Sequence, residues 1–424
     1  MNNLKTRSKL RIGSMGLLLL SVVAGCGDGG GEAQLGTLHV SLTDAPACGF
    51  DAVNVTVEKV RVHQSSSADE TAAGWATIAL DPPRKINLLT LNDPTQPNFA
   101  LESLGETPLE AGHYTQLRLV LVGDTVNGQP PFHNSVVLSS QPNTEIELET
   151  PSALRSGIKL IHQFTVNAGH RTDLLLDFDA CKSIVRTGNG KYKLKPVIRI
   201  VPYELNGIEG FVDPARLGDH VVVSAQVNGE IVRTTVPNVN PLPNPNRGKF
   251  FLAHLPAGVN YDVVFTADNR ATAVITGVPV PSSISTTIVS TQGAPILLPA
   301  SLTNGISGSV LLTPRTDDEP VLLTAKQTFN NVPGTIVTVH SQPAILVDGA
   351  PLGDFTYTLI LPIGAPWLAP YTTSLPIVLA EHTLQPPVVA GRYTLQASAS
   401  GYASQSISKD ISGGNATQDF SLIP

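Results

Sequence analysis

The chain has 424 residues, 42% of them hydrophobic and 14% charged, with a formal net charge of −7. That is too apolar for a disordered chain and long enough for two to four domains at about 100 to 200 residues each. No basic cluster stands out in this mildly acidic composition, which excludes nucleic acid and anionic lipid surfaces as electrostatic partners.

The first segment is a targeting signal. Lys5, Arg7, Lys9 and Arg11 give a positive start and Gly16 to Val23 an apolar stretch too short to cross a hydrocarbon core of about 20 residues. It ends in Val23-Ala24-Gly25-Cys26, which resembles the bacterial lipoprotein lipobox. The resemblance implies removal of residues 1–25 and acylation of Cys26, so that a membrane is a partner through lipid. Several acyl chains hold stably, at about 0.8 kcal/mol per buried CH₂. Gly27 follows the cysteine, where an inner-membrane lipoprotein tends to carry Asp, so the expected location is the outer membrane of the cell envelope. Losing the four positive charges takes the net charge to −11, and residues 26–35 then read as a flexible tether. Cys48 and Cys181 remain as an even pair in an oxidising compartment, and a disulfide between them is the expected state. It would close a loop worth about 5 kcal/mol in the chain-entropy model.

Downstream the hydrophobic pattern has period two almost throughout, which predicts an all-β protein. Val53, Val55 and Val57 alternate with polar neighbours, and the phase changes after Glu58-Lys59 to Val60 and Val62, which predicts a bulge inside one long strand. Leu117, Leu119 and Leu121 predict a strand over Tyr114 to Val122, and Leu174, Leu176 and Phe178 another over Arg171 to Asp179. A short helical turn is expected near Pro151 to Ser156. Ser156-Gly157-Ile158-Lys159 has the spacing of a Ser-x-x-Lys nucleophile pair, but Ile158 to Phe164 reads as strand, and such a pair needs a helix.

The chain also repeats itself. Asn206-Gly207-Ile208-Glu209-Gly210 recurs 98 residues later as Asn304-Gly305-Ile306-Ser307-Gly308. Gly248-Lys249-Phe250 is echoed by Gly353-Asp354-Phe355, and Leu255-Pro256-Ala257-Gly258-Val259-Asn260-Tyr261 by Val389-Ala390-Gly391-Arg392-Tyr393, with an earlier form at Ala111-Gly112-His113-Tyr114. The last repeat carries an insertion of about 28 residues between Phe355 and Ala390. These motifs resemble the carboxypeptidase regulatory-like module, which implies two consecutive Greek-key β-sandwiches over 206–303 and 304–424. Gly36-Thr37-Leu38-His39-Val40-Ser41-Leu42-Thr43-Asp44-Ala45-Pro46, Ile86-Asn87-Leu88-Leu89 and Leu176-Asp177-Phe178-Asp179 give residues 36–205 a resemblance to domain-of-unknown-function 4382, a lipoprotein-associated family without an established activity.

Three residue groups are candidates for chemistry. If the first two strands pair, His39 and His63 meet on one face, as metal ligands or as ordinary solvent-facing histidines. Asp173, Asp177 and Asp179 share one face of a strand, as part of a calcium site helped by Asp44 or as a solvated acidic edge; Asp317-Asp318-Glu319 reads as a polar turn. Trp367 and Tyr371, in the Pro-rich insertion from Leu361 to Pro387, offer aromatic faces for binding, or Trp367 packs down as a flap over its own sandwich; Pro237 to Arg247 is a second stiff loop. No nucleophile elbow, zincin helix or phosphate loop is present, so no catalytic residue and no cofactor is assigned. The leading expectation is a non-catalytic, lipid-anchored envelope protein that binds a carbohydrate or protein partner, or spaces another component off the membrane. The alternatives are a hydrolase-like envelope enzyme with its site in the first domain, and a metal-binding envelope protein.

Overall fold

A computed structural model describes residues 34–45, 50–92, 101–125, 128–150, 157–187, 190–201, 203–239, 244–316, 320–329, 335–347, 351, 353–382 and 389–424. The protein is all-β, and among these residues the one α-helix is the single turn α1, Ala180–Ser183. Its strands fall into three successive groups, each with two sheets closing over a core.

The first group contains β1 (Leu35–Ala45), β2 (Phe50–His63), β3 (Ala76–Asn87), β4 (Glu102–Glu110), β5 (Gly112–Leu121) and β6 (Ser135–Leu138). It continues with β7 (Glu145–Glu149), β8 (Ile158–Val166), β9 (Arg171–Asp179), β10 (Ile184–Arg186), β11 (Tyr192–Leu194) and β12 (Ile198–Val201). One sheet has the order β12-β9-β1-β4; the other runs β10-β11-β7-β6-β2-β5-β8, with β3 added on β2. Alternation sends Leu38, Val40, Leu42, Leu174, Leu176 and Phe178 from the first sheet, and Val53, Val55, Val57, Leu117 and Leu119 from the second, into one core. The anticipated bulge is there, as a register shift between Val57 and Lys59 against both β3 and β5. The anticipated pairing of the first two strands is not. β1 lies between β4 and β9, with β9 parallel to it, so the chain crosses to the other sheet before β2. Period-two patterning fixes which face of a strand is buried but is silent on which strand lies beside it.

The second group contains β13 (Gly207–Phe211), β14 (Val222–Val227), β15 (Glu230–Thr235), β16 (Lys249–Ala253), β17 (Val259–Thr266), β18 (Ala273–Val280) and β19 (Thr286–Ile288). The third contains β20 (Thr303–Leu312), β21 (Leu322–Phe329), β22 (Thr335–Pro343), β23 (Ile345–Leu346), β24 (Asp354–Pro362), β25 (Trp367–Pro370) and β26 (Ala380–Glu381). It ends with β27 (Arg392–Ser398), β28 (Gln405–Asp410), β29 (Ala416–Thr417) and β30 (Phe420–Leu422). In the second group β16-β13-β19 faces β15-β14-β17-β18; in the third, β23-β24-β20, with β29 and β30 on β20, faces β22-β21-β27-β28.

The repeated glycines have a steric cause. A Cβ on Gly210 would lie 2.5 Å from Ser290 Oγ and 2.8 Å from the Phe250 ring, and one on Gly308 would lie 1.7 Å from the Gln418 carbonyl oxygen. Gly248 and Gly353 both take left-handed φ, +84° and +81°, ahead of buried Phe250 and Phe355. The Ala-Gly-x-Tyr echo is a tyrosine corner: the Tyr261 hydroxyl donates to the Pro256 carbonyl at 2.7 Å and the Tyr114 hydroxyl to the Glu110 carbonyl at 3.1 Å. Tyr393 departs from this, donating to the Pro362 carbonyl on another strand.

The insertion of the third repeat packs on its own sandwich through Leu361, Ile363 and Leu368 and also reaches across to the second. β25 pairs parallel with β18 from Ala273↔Trp367 to Thr276↔Pro370 and carries β26 at its outer edge, so the third group extends a sheet of the second. Ala369 and Ile377 are buried in the second core. Gln226 of β14 and Thr338 of β22 add a reciprocal pair, Gln226 Nε2 to the Thr338 carbonyl at 2.8 Å and Thr338 N–H to Gln226 Oε1 at 2.7 Å.

Candidate functional site

Three neighbouring strands place a polar row on the outer face of the first sheet. In the β9-β1-β4 ladder, His39 lies across from Asp173 on one side and from Glu106 on the other. Since Leu38 and Val40 point into the core, His39 must point away from it. A register shift between Val40 and Ser41 displaces β4 by one residue, which brings Ser103 within reach of the imidazole. His39 Nδ1 lies 2.9 Å from Asp173 Oδ1, and its Nε2 lies 2.9 Å from Ser103 Oγ. Both contacts are met when Nδ1 carries the proton and donates it to the carboxylate, leaving Nε2 to accept the serine hydroxyl. Arg171 Nε donates to the same Asp173 oxygen at 2.9 Å, and its Nη1 is 3.8 Å from Glu106 Oε2. Ser103 is exposed, while the His39 side chain keeps only 13% of its surface.

Beside the row lies an open groove of about 510 Å³ between β3 and β4, lined by Ile78, Leu80, Pro82, Pro83, Arg84, Leu104, Gly105 and Glu106 among others. Arg84 Nη1 donates to the Ser103 carbonyl at 2.8 Å and pairs with Glu102. Sequence reading put forward His39 and Asp173 separately and missed Ser103. No sequence signal linked the three, because Ser103 and Asp173 lie 64 and 134 residues from His39.

His63 is on the other sheet and does not meet His39. Its Nδ1 accepts the Ser65 N–H at 2.8 Å and its Nε2 faces the Ala73 carbonyl at 2.9 Å, which occupies both nitrogens. Its ring lies 5.0 Å from Trp75, which also sits under Arg61 and Arg118. Among the described residues no three His, Cys, Asp or Glu side chains cluster in a way that could hold a metal ion.

The three aspartates neither converge nor form a solvated edge. Asp173 belongs to the row above. Asp177 is fully buried and bridges Arg199 Nη2, at 3.1 Å, and Arg233 of the second group, whose side chain is only 4% exposed. Asp179 caps α1, accepting the Lys182 N–H at 3.1 Å and pairing with Lys182 Nζ at 2.7 Å. Asp44 Oδ1 accepts the Ala180 N–H at 2.9 Å. The acidic-edge expectation failed because the second group of strands covers this end of β9.

Trp367 opens β25 and Tyr371 directly follows its last residue, and both pack, partly buried, on the second core. Their backbone N–H groups donate to the Thr272 and Thr276 carbonyls at 2.8 and 2.9 Å. Packing of Trp367 over its own sandwich was one of the two expectations; its ring packs instead on the core of the second group, because β25 pairs with β18 of that group. Cys26 and Cys48 lie outside the described residues, and Cys181 is in α1. Pro151 to Ser156 and Asp317-Asp318-Glu319 also lie outside them, as do residues 240–243 of the second Pro-rich loop.

Close to the Asp177–Arg233 pair, His254 is buried and its pKa is lowered to about 4, by burial first and by the Arg233 charge second. Burial also pushes the Tyr261 hydroxyl up to about 12. No helix among the described residues is long and apolar enough to cross a membrane.

No curated protein matches the sequence. Among solved structures, the chain is similar at 11% identity and a TM-score of 0.15 to the Bacillus anthracis TIE protein, with 92% of this chain and 50% of that one covered. The chain thus spans about half of that protein's length. It is similar at 10% identity and a TM-score of 0.17 to the Corynebacterium diphtheriae major pilin SpaA, covering 92% of this chain and all of that one. A Streptococcal ancillary pilin scores 0.16 at 9% identity, with 91% and 98% covered. Likeness at that level carries no argument about this chain. Residues 35–196, which hold the His39 row and most of the first core, match the family described as Domain of unknown function (DUF4382).

Proposed function

We propose that this is a lipid-anchored protein of the bacterial cell envelope, held at the outer membrane through Cys26, whose β body binds a carbohydrate or protein partner or spaces another component off the membrane. The observation that supports a body of this kind is its interlocking. A buried Asp177–Arg233 ion pair joins the first and second groups of strands, and β25 of the third group completes a sheet of the second. A sheet continued from the second group into the third ties the two through backbone hydrogen bonds, which suits a part that must hold a surface at a fixed place. The lipobox-like Val23-Ala24-Gly25-Cys26 supplies the anchoring part of the reading.

Replacing Cys26 tests the anchor. The Cys26→Ser protein should move from the membrane pellet to the soluble fraction; if it still sediments and resists a salt wash, the lipid anchor is wrong. A pull-down of the wild-type protein from solubilised envelope, read by mass spectrometry and by glycan analysis, should return a protein or saccharide that the Cys26→Ser form also retains in solution.

A further inference from the structure

We propose that Ser103, His39 and Asp173 constitute a hydrolytic site for small, uncharged carboxylic esters. The proposal goes beyond the anchored-body reading and does not depend on it. Its basis is the mutual geometry of three residue types in three roles. A nucleophile needs a base within hydrogen-bond reach, and the base needs a group that fixes its tautomer. Ser103 Oγ is 2.9 Å from His39 Nε2, and His39 Nδ1 is 2.9 Å from Asp173 Oδ1. The row is held by three hydrogen-bonded strands, so the positions of its members are set by backbone ladders rather than by loops. Ser103 faces solvent, where a substrate can reach it.

The groove at its side suggests the substrate class. The exposed Pro82 and Pro83 offer apolar contact to an acyl or alcohol part, and Arg84, which donates to the Ser103 backbone carbonyl and pairs with Glu102, brings a guanidinium to the neighbourhood of the nucleophile. Glu106 at the rim disfavours anionic substrates. In the first step Ser103 Oγ adds to the ester carbonyl carbon as its proton passes to His39 Nε2. The bond from that carbon to the alcohol oxygen then breaks, and the alcohol leaves with the proton from His39. Water adds to the acyl carbon of the acyl-serine, giving a proton to His39; the bond from that carbon to Ser103 Oγ then breaks, the carboxylic acid leaves, and Oγ takes the proton back from His39. Asp173 is a positioning residue, acting through Nδ1 of His39, and Arg171 holds Asp173 in turn.

The full chain, purified in detergent, is treated with a fluorophosphonate probe and assayed with p-nitrophenyl acetate and butyrate. Labelling should map to Ser103. Ser103→Ala, which removes one exposed hydroxyl, should abolish labelling and lower hydrolysis by about 10²-fold or more while far-ultraviolet circular dichroism stays unchanged. His39→Gln should do the same, and Asp173→Asn should lower kcat with KM little changed. A folded wild-type chain that neither takes the label nor hydrolyses either ester overturns the proposal, as does a Ser103→Ala protein as active as wild type. Neither result bears on the Cys26 anchor.

Discussion

Single residues explain why the repeat has the letters it has. At Gly308 a Cβ would meet a backbone oxygen, which no rotamer change can relieve, so Gly308→Ala should destabilise the protein by about 1 to 3 kcal/mol, measured by urea unfolding. Asp177 is a different case, because its charge is buried against a buried partner. Asp177→Asn leaves the Arg233 charge without its counter-ion and should cost about 3 to 5 kcal/mol, whereas the double variant Asp177→Leu/Arg233→Met should recover most of that. His254 gives a pH dependence with a definite sign. Its pKa is lower in the folded state, so between about 4 and about 6.5 the unfolded chain binds the extra proton, and stability falls as pH drops through that window. The loss should approach about 3 kcal/mol at pH 4 and be absent from a His254→Gln variant, as read from the difference in midpoint denaturant between pH 7 and pH 4.5.

At the scale of elements, alternation in the sequence was enough to place β2 with its bulge, β5 and β9 and to assign their buried faces, while Ile158 to Phe164 read as strand with no face assigned. It could not supply neighbours. β1 and β2 are adjacent in sequence and lie in different sheets, so the pairing of His39 with His63 had no basis, while the pairing of His39 with Ser103 and Asp173 depends on two strands far along the chain. The aspartates of β9 were misjudged for the same reason: what covers Asp177 is an arginine 56 residues away. The insertion was legible as an insertion, from the lengthened spacing between Phe355 and Tyr393, but nothing in its Pro-rich composition says that Trp367 to Pro370 will pair with Ala273 to Thr276. That pairing predicts a dependence between repeats. A fragment of residues 206–303 alone exposes the β18 edge and part of its core, and it should melt lower and aggregate more than a fragment of residues 206–424, by scanning calorimetry and light scattering.

Taken as a whole, the chain is organised as three cores with shared seams rather than as separate beads. Cut at the expected boundaries of 205 and 303, each piece keeps most of its own apolar cluster and loses a seam. The fragment 206–424 should therefore fold as β structure with a cooperative transition, but with Arg233 stripped of Asp177 it should be less stable than its Arg233→Met counterpart. If wild-type and Arg233→Met fragments melt together, the Arg233 charge is relieved by solvent once the first group is removed, and it carries no penalty in the fragment.

The place of β1 has a mechanical consequence. Any pull on the N-terminal side of the body enters through Leu35, and β1 is not an edge hairpin that could be peeled open one bond at a time. It lies between β4 and β9, with partners running from Leu35↔Glu110 to Leu42↔Glu102 on one side and from Thr37↔Arg171 to Ala45↔Asp179 on the other. A force along β1 loads both ladders in shear, so many hydrogen bonds must yield together before the strand slides out. The first unit is thus built to bear tension at the end where a tether would attach.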